Sequence, residues 1–522
     1  MTAPEDDRRS FSSRTPVNEN PDRVVYRRGF VTRHQVSGWR FMMRRIASGV
    51  ALHDTRMLVD PLRTQTRSVL VGVLILITGL AGCFVFSLIR PAGVAGEDAV
   101  LADRSTAALY VKVGEQLHPV LNLTSARLIT GRAEDPKTVK TSEIDKFPRG
   151  NLLGIPGAPE RMTQNPARDA DWMVCDAVSG PHPGVTVAAG APAEGGERAA
   201  PLPDGQAVLV ENHDGTNAGT WLLWDNRRSR IDLADRAVTE AVGLGAGTAR
   251  PRPIAPGLFN AIPEAPPIAP PAIPGAGEPP RFALPVDAPV GAVVTAYEAD
   301  NTIRYYAVLP DGLQPVPVVL ASIMRNTDSY GFAQPPRLGM DEIARLPVAD
   351  TLDTDAYPAR PVTLVNADAK PMTCVHWSKP ADAPANSLTL LSGAALPLPD
   401  GQHTVDLVSA GAGGTADRVA LPAGTGYLVD SVGLRTGADS AEGPGLFWIS
   451  DTGVRYGIDT HGDDDTVAAL GLTGAPLPMP WAVLAQFAAG PTLSRTDALL
   501  AHDSLPPNPA PARLENHRME NP

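Results

Sequence analysis

Ser68 to Ile89 reads SVLVGVLILITGLAGCFVFSLI, 22 residues without a charge. No other feature of the chain constrains its architecture as much. As an α-helix rising about 1.5 Å per residue the run is about 33 Å long, against a bilayer core of roughly 30 Å. Arg67 and Arg90 bracket it. A cleaved signal peptide has a shorter apolar run that starts earlier. A buried core helix is rarely apolar on every face. The run is therefore predicted to cross a membrane. No second apolar run approaches that length, so the chain is predicted to cross once.

Charge sets the expected orientation. Arg56, Arg63 and Arg67 precede the span, and the first charges after Arg90 are Glu97 and Asp98. The positive-inside rule puts residues 1–67 in the cytosol and everything after Ile89 outside the plasma membrane. Residues 1–67 hold 13 Arg, no Lys and 7 Asp or Glu, whereas the rest of the chain has a net charge of −18. An acidic body disfavours nucleic acid as a partner. Of the three cysteines, Cys83 lies in the span, and Cys175 and Cys374 fall in the oxidising compartment. A Cys175–Cys374 disulfide is the expected reading, with two separate buried thiols as the alternative.

Residues 1–31 are polar and expected to be mobile. From Thr32, Val36, Trp39, Met43, Ile46 and Val50 recur at helical spacing, with Arg40, Arg44 and Arg45 mostly off that stripe. Pro61 is expected to end or kink whatever follows. The striped helix either lies on anionic lipid or docks in a groove on a partner protein, and docking is the preferred expectation.

The outer body repeats one grammar: apolar strand, polar turn, second strand, short helix. It appears at Leu109–Val120, Trp221–Asp232, Tyr305–Val316 and Leu446–Gly457. Turns such as Pro-Asp-Gly and Asp-Thr-Gly are hairpin signals. The first and third hairpins are offset by 196 residues, Pro-Leu-Pro-Asp-Gly-Gln recurs at 201–206 and 397–402 with the same offset, and the cysteines are offset by 199. Two copies of one unit are expected, with a disulfide across their pseudo-twofold centre. The predicted fold class is a single-pass membrane protein with an α+β, strand-rich body. In it, four hairpin-plus-helix modules surround a central β-rich domain, from an internal duplication. The expected divisions are a cytosolic arm (1–67), the span (68–89), a first copy (90–250), a proline-rich connection (251–289), a second copy (290–503) and a disordered tail (504–522). The connection holds 13 prolines with interleaved Phe and Ile, which suggests polyproline-like chain laid along the modules.

Motifs for catalysis are missing. None of the six lysines follows a glycine, so there is no G-x-x-x-x-G-K-[ST] phosphate loop. G-x-S-x-G, H-E-x-x-H and C-x-x-C do not occur. His461 beside Asp463, Asp464 and Asp465 reads as a capped helix start rather than a metal site. Asp204 and Asp400 sit in Pro-Asp-Gly turns, where aspartate is a turn former. No catalytic residue, metal or cofactor is expected.

Six further runs stand out: Arg27-Arg-Gly-Phe-Val-Thr-Arg-His-Gln-Val-Ser-Gly-Trp-Arg-Phe, Met57-Leu-Val-Asp-Pro-Leu-Arg, Phe147-Pro-Arg-Gly-Asn-Leu-Leu-Gly-Ile-Pro-Gly-Ala-Pro-Glu-Arg, Phe259-Asn-Ala-Ile-Pro-Glu-Ala-Pro-Pro, Leu446-Phe-Trp-Ile-Ser-Asp-Thr-Gly-Val-Arg-Tyr-Gly-Ile and Pro491-Thr-Leu-Ser-Arg-Thr-Asp-Ala-Leu-Leu. These runs resemble the EccB family, the single-pass membrane component of the mycobacterial type VII (ESX) secretion system. Together they span nearly the whole chain and look closest to the paralogue of the third ESX system, linked to iron and zinc uptake. The resemblance implies a structural core component of the inner-membrane complex, with partners EccC, EccD and EccE and self-association through a periplasmic body of four repeat domains around a central one. Family members often carry an ATPase label, which would make ATP a cofactor and the chain an ATP hydrolase. A cell-envelope-binding module is the other alternative.

Overall fold

The computed structural model describes residues 32–53, 61–89, 93–181, 183–245, 250–411, 414–434, 445–460 and 465–505. The expectations for residues 1–31 and His461–Asp464, and for all but the first residues of the tail, lie outside these. The chain divides into two units, Met1–Ala92 and Gly93–Pro522.

In the first unit, α1 (Arg33–Leu52) opens on a reciprocal cap. Thr32 N donates to Gln35 Oε1 at 2.9 Å, and Gln35 N donates to Thr32 Oγ1 at 3.4 Å. Two donors that a helix start leaves unpaired are thereby satisfied. His53, with φ 54°, closes the helix. The second helix, α2, runs Pro61–Ile89. Pro61, expected to break a helix, instead begins one. At the first helical position its missing N–H would be unpaired anyway and its fixed φ is already helical. Within α2, Thr66–Phe86 is long and apolar enough to cross a membrane, and none of it is buried in protein.

Among the described residues the second unit is built on five sheets. The first has β1 (Val100–Asp103), β2 (Leu109–Val113) and β3 (Gln116–Val120) as an antiparallel meander. After α3 (Leu123–Thr130), β4 (Lys137–Val139) returns parallel to β1. After α4 (Thr141–Ile144), β5 (Leu152–Leu153) returns parallel to β3. Next come β6 (Ala170–Ala177), β7 (Gly184–Ala189) and β8 (Ala200–Pro201) of the seven-stranded sheet.

The opening order then recurs. A meander of β9 (Gln206–Asn212), β10 (Gly219–Trp224) and β11 (Arg227–Ile231) precedes α5 (Arg236–Val242). Then β12 (Arg252–Pro253) lies parallel to β9, and after α6 (Pro256–Asn260), β13 (Glu264–Ile268) lies parallel to β11. The proline-rich connection therefore does not start at 251. Phe259 and Ile262 are buried. Pro253, Pro266 and Pro267 fall on the two outermost strands, where a ladder N–H can be spared, and Pro256 opens α6. Downstream, Phe282, Leu284 and Val286 pack against the third meander.

That meander is β14 (Val293–Tyr297), β15 (Ile303–Leu309) and β16 (Gly312–Val316). It is followed by α7 (Val318–Thr327), β17 (Arg337–Leu338) parallel to β14, and α8 (Met340–Ile343). Where the other sheets add a fifth strand, here a single bridge joins Leu313 to Val348, and the Gln314 side chain takes the N–H groups of Thr351 and Leu352 at 2.9 and 2.8 Å. After β18 (Thr363–Leu364), which pairs with β9, the chain re-enters the seven-stranded sheet with β19 (Met372–Lys379), β20 (Ser387–Gly393), β21 (Val405–Asp406) and β22 (Arg418–Ala420). The fourth meander is β23 (Tyr427–Val432), β24 (Leu446–Ile449) and β25 (Val454–Ile458). It continues with α9 (Thr466–Leu470), β26 (Leu477–Pro480) parallel to β23, α10 (Trp481–Leu484) and β27 (Ala488–Ala489) parallel to β25. Finally α11 (Arg495–Ala498) leads to β28 (Ala501–His502), which pairs antiparallel with β5 of the first sheet.

Local chemistry fixes the meander helices. Asn122, Asp235 and Asp465 cap α3, α5 and α9 through Ser125 N, Val238 N and Ala468 N at 2.8, 3.2 and 3.0 Å. Gly131, Gly243 and Gly471 end them in the left-handed region.

One expected marker changes place. Pro201–Gln206 leads straight into β9, but 397–402 leads only to the two-residue edge strand β21. The lead-in to the fourth meander is Leu421–Gly426. The two hexapeptides make like turns, with Gly205 and Gly401 at φ 79° and 83°. The segments after the turns differ: Ala207–Val210 is an apolar strand, while His403-Thr-Val-Asp is not.

Apolar burial ties these sheets together. Leu128 and Ile129 share a core with Trp448, Leu470 and Ala498, so the first and fourth sheets pack together. Val238 and Val242 share one with Val319 and Ile323, joining the second and third. One face of the seven-stranded sheet, with Trp172, Val174, Val375 and Trp377, packs against Trp221, Phe259, Tyr427 and Phe487.

Candidate functional site

On α1 every apolar residue of the predicted stripe is solvent-facing. Trp39 is 64% exposed, Ile46 55% and Val50 75%, with Val36 and Met43 also open. Arg40, Arg44 and Arg45 are exposed, and 33–52 contains no acidic residue. Met42, 58% exposed, extends the stripe. Its spacing of three from Trp39 and four from Ile46 was the signal for it. Among the described residues nothing covers the apolar face of this 20-residue basic helix.

Cys175 and Cys374 lie opposite one another in register on the antiparallel neighbours β6 and β19. Their sulfurs are bonded at 2.03 Å, with the Cα atoms 4.0 Å apart. The bond joins strands from the two halves of the chain. It lies on the face of the sheet that carries Met173, Ala177, Met372 and Leu391, and Leu396 and Leu398 pack over that cluster.

Sequence reasoning missed the charged groups around this sheet, because their partners are distant in the chain. His376 Nε2 lies 2.9 Å from Asp171 Oδ1. The hydrogen bond from His376 holds the Asp171 carboxyl below the usual carboxylate range, against an opposing push from burial, with Ser378 assisting. Asp176 is buried and accepts from Ala255 N at 2.7 Å. Burial pushes its carboxyl up, while that hydrogen bond and Arg252 oppose the rise. Arg252 is pushed down to about 10 by the same burial, with Asp176 opposing. These groups carry no nucleophile. Asp176 ties the seven-stranded sheet to the loop that leads from β12 into α6, and the His376–Asp171 pair links β19 to β6 within the sheet.

An open cleft of about 400 Å³ lies between 202–206, 224–227 and 355–362. Arg227 crosses it, with its guanidinium 4.7 Å from the Trp224 ring centre, an ion pair to Asp225 and a 3.0 Å donation to Asp355 O. Asp204 lines this cleft, whereas Asp400 pairs with Arg198, so the two turn aspartates serve different partners. Among the described residues no group of three His, Cys, Asp or Glu is placed to hold a metal ion.

The described residues thus combine an apolar span, a basic helix with an uncovered apolar face and a strand-rich body. The family model for the type VII secretion system ESX-1, transport TM domain B, matches residues 28–507. The chain belongs to the EccB family. It is 69% identical over 520 residues to the ESX-3 secretion system ATPase EccB3 of Mycolicibacterium smegmatis, covering 99% of this chain and 100% of that protein. The EccB3 of Mycobacterium tuberculosis is 64% identical over 526 residues, 97% of this chain and 96% of that one. Among solved structures, an EccB3 dimer from the ESX-3 core complex aligns with TM-score 0.70 and 65% identity, over 77% of this chain and all of that one. A chain of an intact ESX-5 inner membrane complex aligns with TM-score 0.73 and 35% identity, over 94% of this chain and 99% of that one.

Proposed function

We propose that this chain is a structural core component of a type VII (ESX) secretion complex of the inner membrane. It would anchor the cytosolic motor assembly and self-associate through its periplasmic body. The observation that carries the reading is 69% identity to an EccB3 over nearly the whole chain, beside 65% identity over 77% of this chain to an EccB3 solved as a dimer from an ESX-3 core complex. The partners are then EccC, EccD and EccE, and the ESX-3 likeness points to export tied to iron and zinc acquisition. In this reading α2 anchors the chain with α1 on the cytosolic side, where the arginines precede the span, and the body lies in the periplasm. The exposed stripe Val36–Trp39–Met43–Ile46–Val50, flanked by Arg40, Arg44 and Arg45, is the docking surface toward the motor side.

The body is read as four modules around a central domain, from an internal duplication. Support comes from the shared order of meander, helix and parallel return strand in four sheets, and from the cysteine strands facing each other between them. The Cys175–Cys374 bond then clamps the two halves in the oxidising compartment. The curated relatives are named as ATPases, yet this chain has no lysine after a glycine for a phosphate loop.

Affinity purification from detergent with mass spectrometry tests the proposal. Co-purification of EccC, EccD and EccE with this chain is the expected result, and recovery of the chain alone overturns it.

A further inference from the structure

The bond between Cys175 and Cys374 lies under a roof made by two loops. Residues 191–199 come from one half of the chain and 394–402 from the other. Their backbones join: Ala193 N donates to Pro397 O, Ala199 N to Ala395 O and Ala395 N to Glu197 O, each at 2.9 Å. Arg198 fastens them with side-chain bonds from Nε to Leu398 O at 3.1 Å and from Nη1 to Glu194 O at 3.4 Å, and with an ion pair to Asp400. Gly393 lets them close, since a Cβ there would stand 2.5 Å from both Cα and N of Ala199. Beneath, Ala199, Leu396 and Leu398 pack on the cysteine cluster. Cys175 is 1% exposed and Cys374 0%.

We propose that these paired loops are a gate on thiol exchange at the Cys175–Cys374 bond, with Arg198 as its fastener. Reduction of the bond requires a thiolate to approach one sulfur. It forms a mixed disulfide and expels the other cysteine as thiolate, and a second thiol of the reductant then releases the first cysteine and leaves oxidised reductant. With both sulfurs covered, neither attack can begin until the loops part. Because the loops come from different halves and their backbones pair with each other, with Gln402 Nε2 also donating to Ala420 O at 3.0 Å, they close after β6 and β19 have paired. The order of assembly is thus strand pairing, oxidation, then closure. Once closed, the clamp is insulated from small thiols and from oxidoreductases alike. Opening needs the loss of the loop pairing, the Arg198 contacts and the Gln402 bond to Ala420 O, not of the seven-stranded sheet.

The test uses the full chain in detergent, with the bond first confirmed by non-reducing peptide mapping. Free thiols at that stage would defeat the disulfide itself rather than the gate. Dithiothreitol is then added, and alkylation of the Cys175 and Cys374 peptides is followed by mass spectrometry. Arg198→Ala removes charge-assisted bonds, so reduction should speed up about tenfold. Gly393→Ala, which wedges the loops apart, should do the same. The wild-type rate should depend only weakly on sub-denaturing urea, as expected for a local opening that exposes little surface. A wild-type rate that rises with urea as steeply as global unfolding overturns the proposal whether or not the variants fold. Equal rates in wild type and both folded variants overturn it as well.

Discussion

Replacing Cys175 and Cys374 by serine removes a cross-link between residues 199 apart. The chain-entropy model puts the stabilisation from closing so long a loop at about 5 kcal/mol, an upper figure. The double variant should therefore unfold at clearly lower urea than wild type, and reducing agent should bring wild type down to it. A different dependence is expected at Asp171. Its carboxyl is held low chiefly by the hydrogen bond from His376, so its folded pKa lies below its unfolded value near about 3.9. The contribution is fully present above that unfolded value and is lost as pH falls through the folded one. Asp171→Asn should cost stability at about pH 5, and the gap to wild type should narrow as pH drops toward about 2.5. Urea midpoints across that range check the sign. None of these partners was visible from sequence spacing, because His376 and Asp171 are 205 residues apart.

At the scale of elements, legibility followed locality. The four hairpins are readable because turn chemistry and alternation lie within a dozen residues. The strands that open each meander and the two- to five-residue parallel returns carry no such signal, and their pairing is decided by burial. The hexapeptide at 397–402 misled for the same reason: its turn is local, while its use as a roof over the disulfide is tertiary. Arg228 illustrates how one return strand is fixed. It is buried, and its guanidinium carbon lies 3.9 Å from the Phe259 ring centre. It donates to Phe259 O, to Ile262 O at 2.9 Å and to Glu264 at 3.1 Å. Arg228→Ala would strand those carbonyls and open a void, at a cost of about 3 kcal/mol. Hydrogen exchange should locate the lost protection at 256–268. On α1, Trp39→Asp with Ile46→Asp leaves the Thr32–Gln35 cap intact but spoils the apolar face. Membrane insertion should persist while co-purification with EccC, EccD and EccE falls at least tenfold.

Across the whole molecule, the chain closes on itself at its C-terminal end. Ala498 is fully buried in the core shared by the first and fourth sheets, and His502 Nε2 reaches Gly154 O at 2.9 Å beside the pairing of β28 with β5. The opening and closing parts of the body are thus held by a few late residues, whereas the middle is held by a covalent bond across an eight-pair antiparallel seam. These two kinds of closure predict separate cooperative units. Truncation before Arg495 removes α11 and β28 and uncovers the apolar contacts around Leu128 and Trp448. Hydrogen-exchange protection should then fall in 100–155 and 427–493 while 170–177 and 372–379 keep theirs. If protection falls equally in the cysteine strands, the outer sheets and the central one unfold as a single body, and the modular reading of the body fails with it.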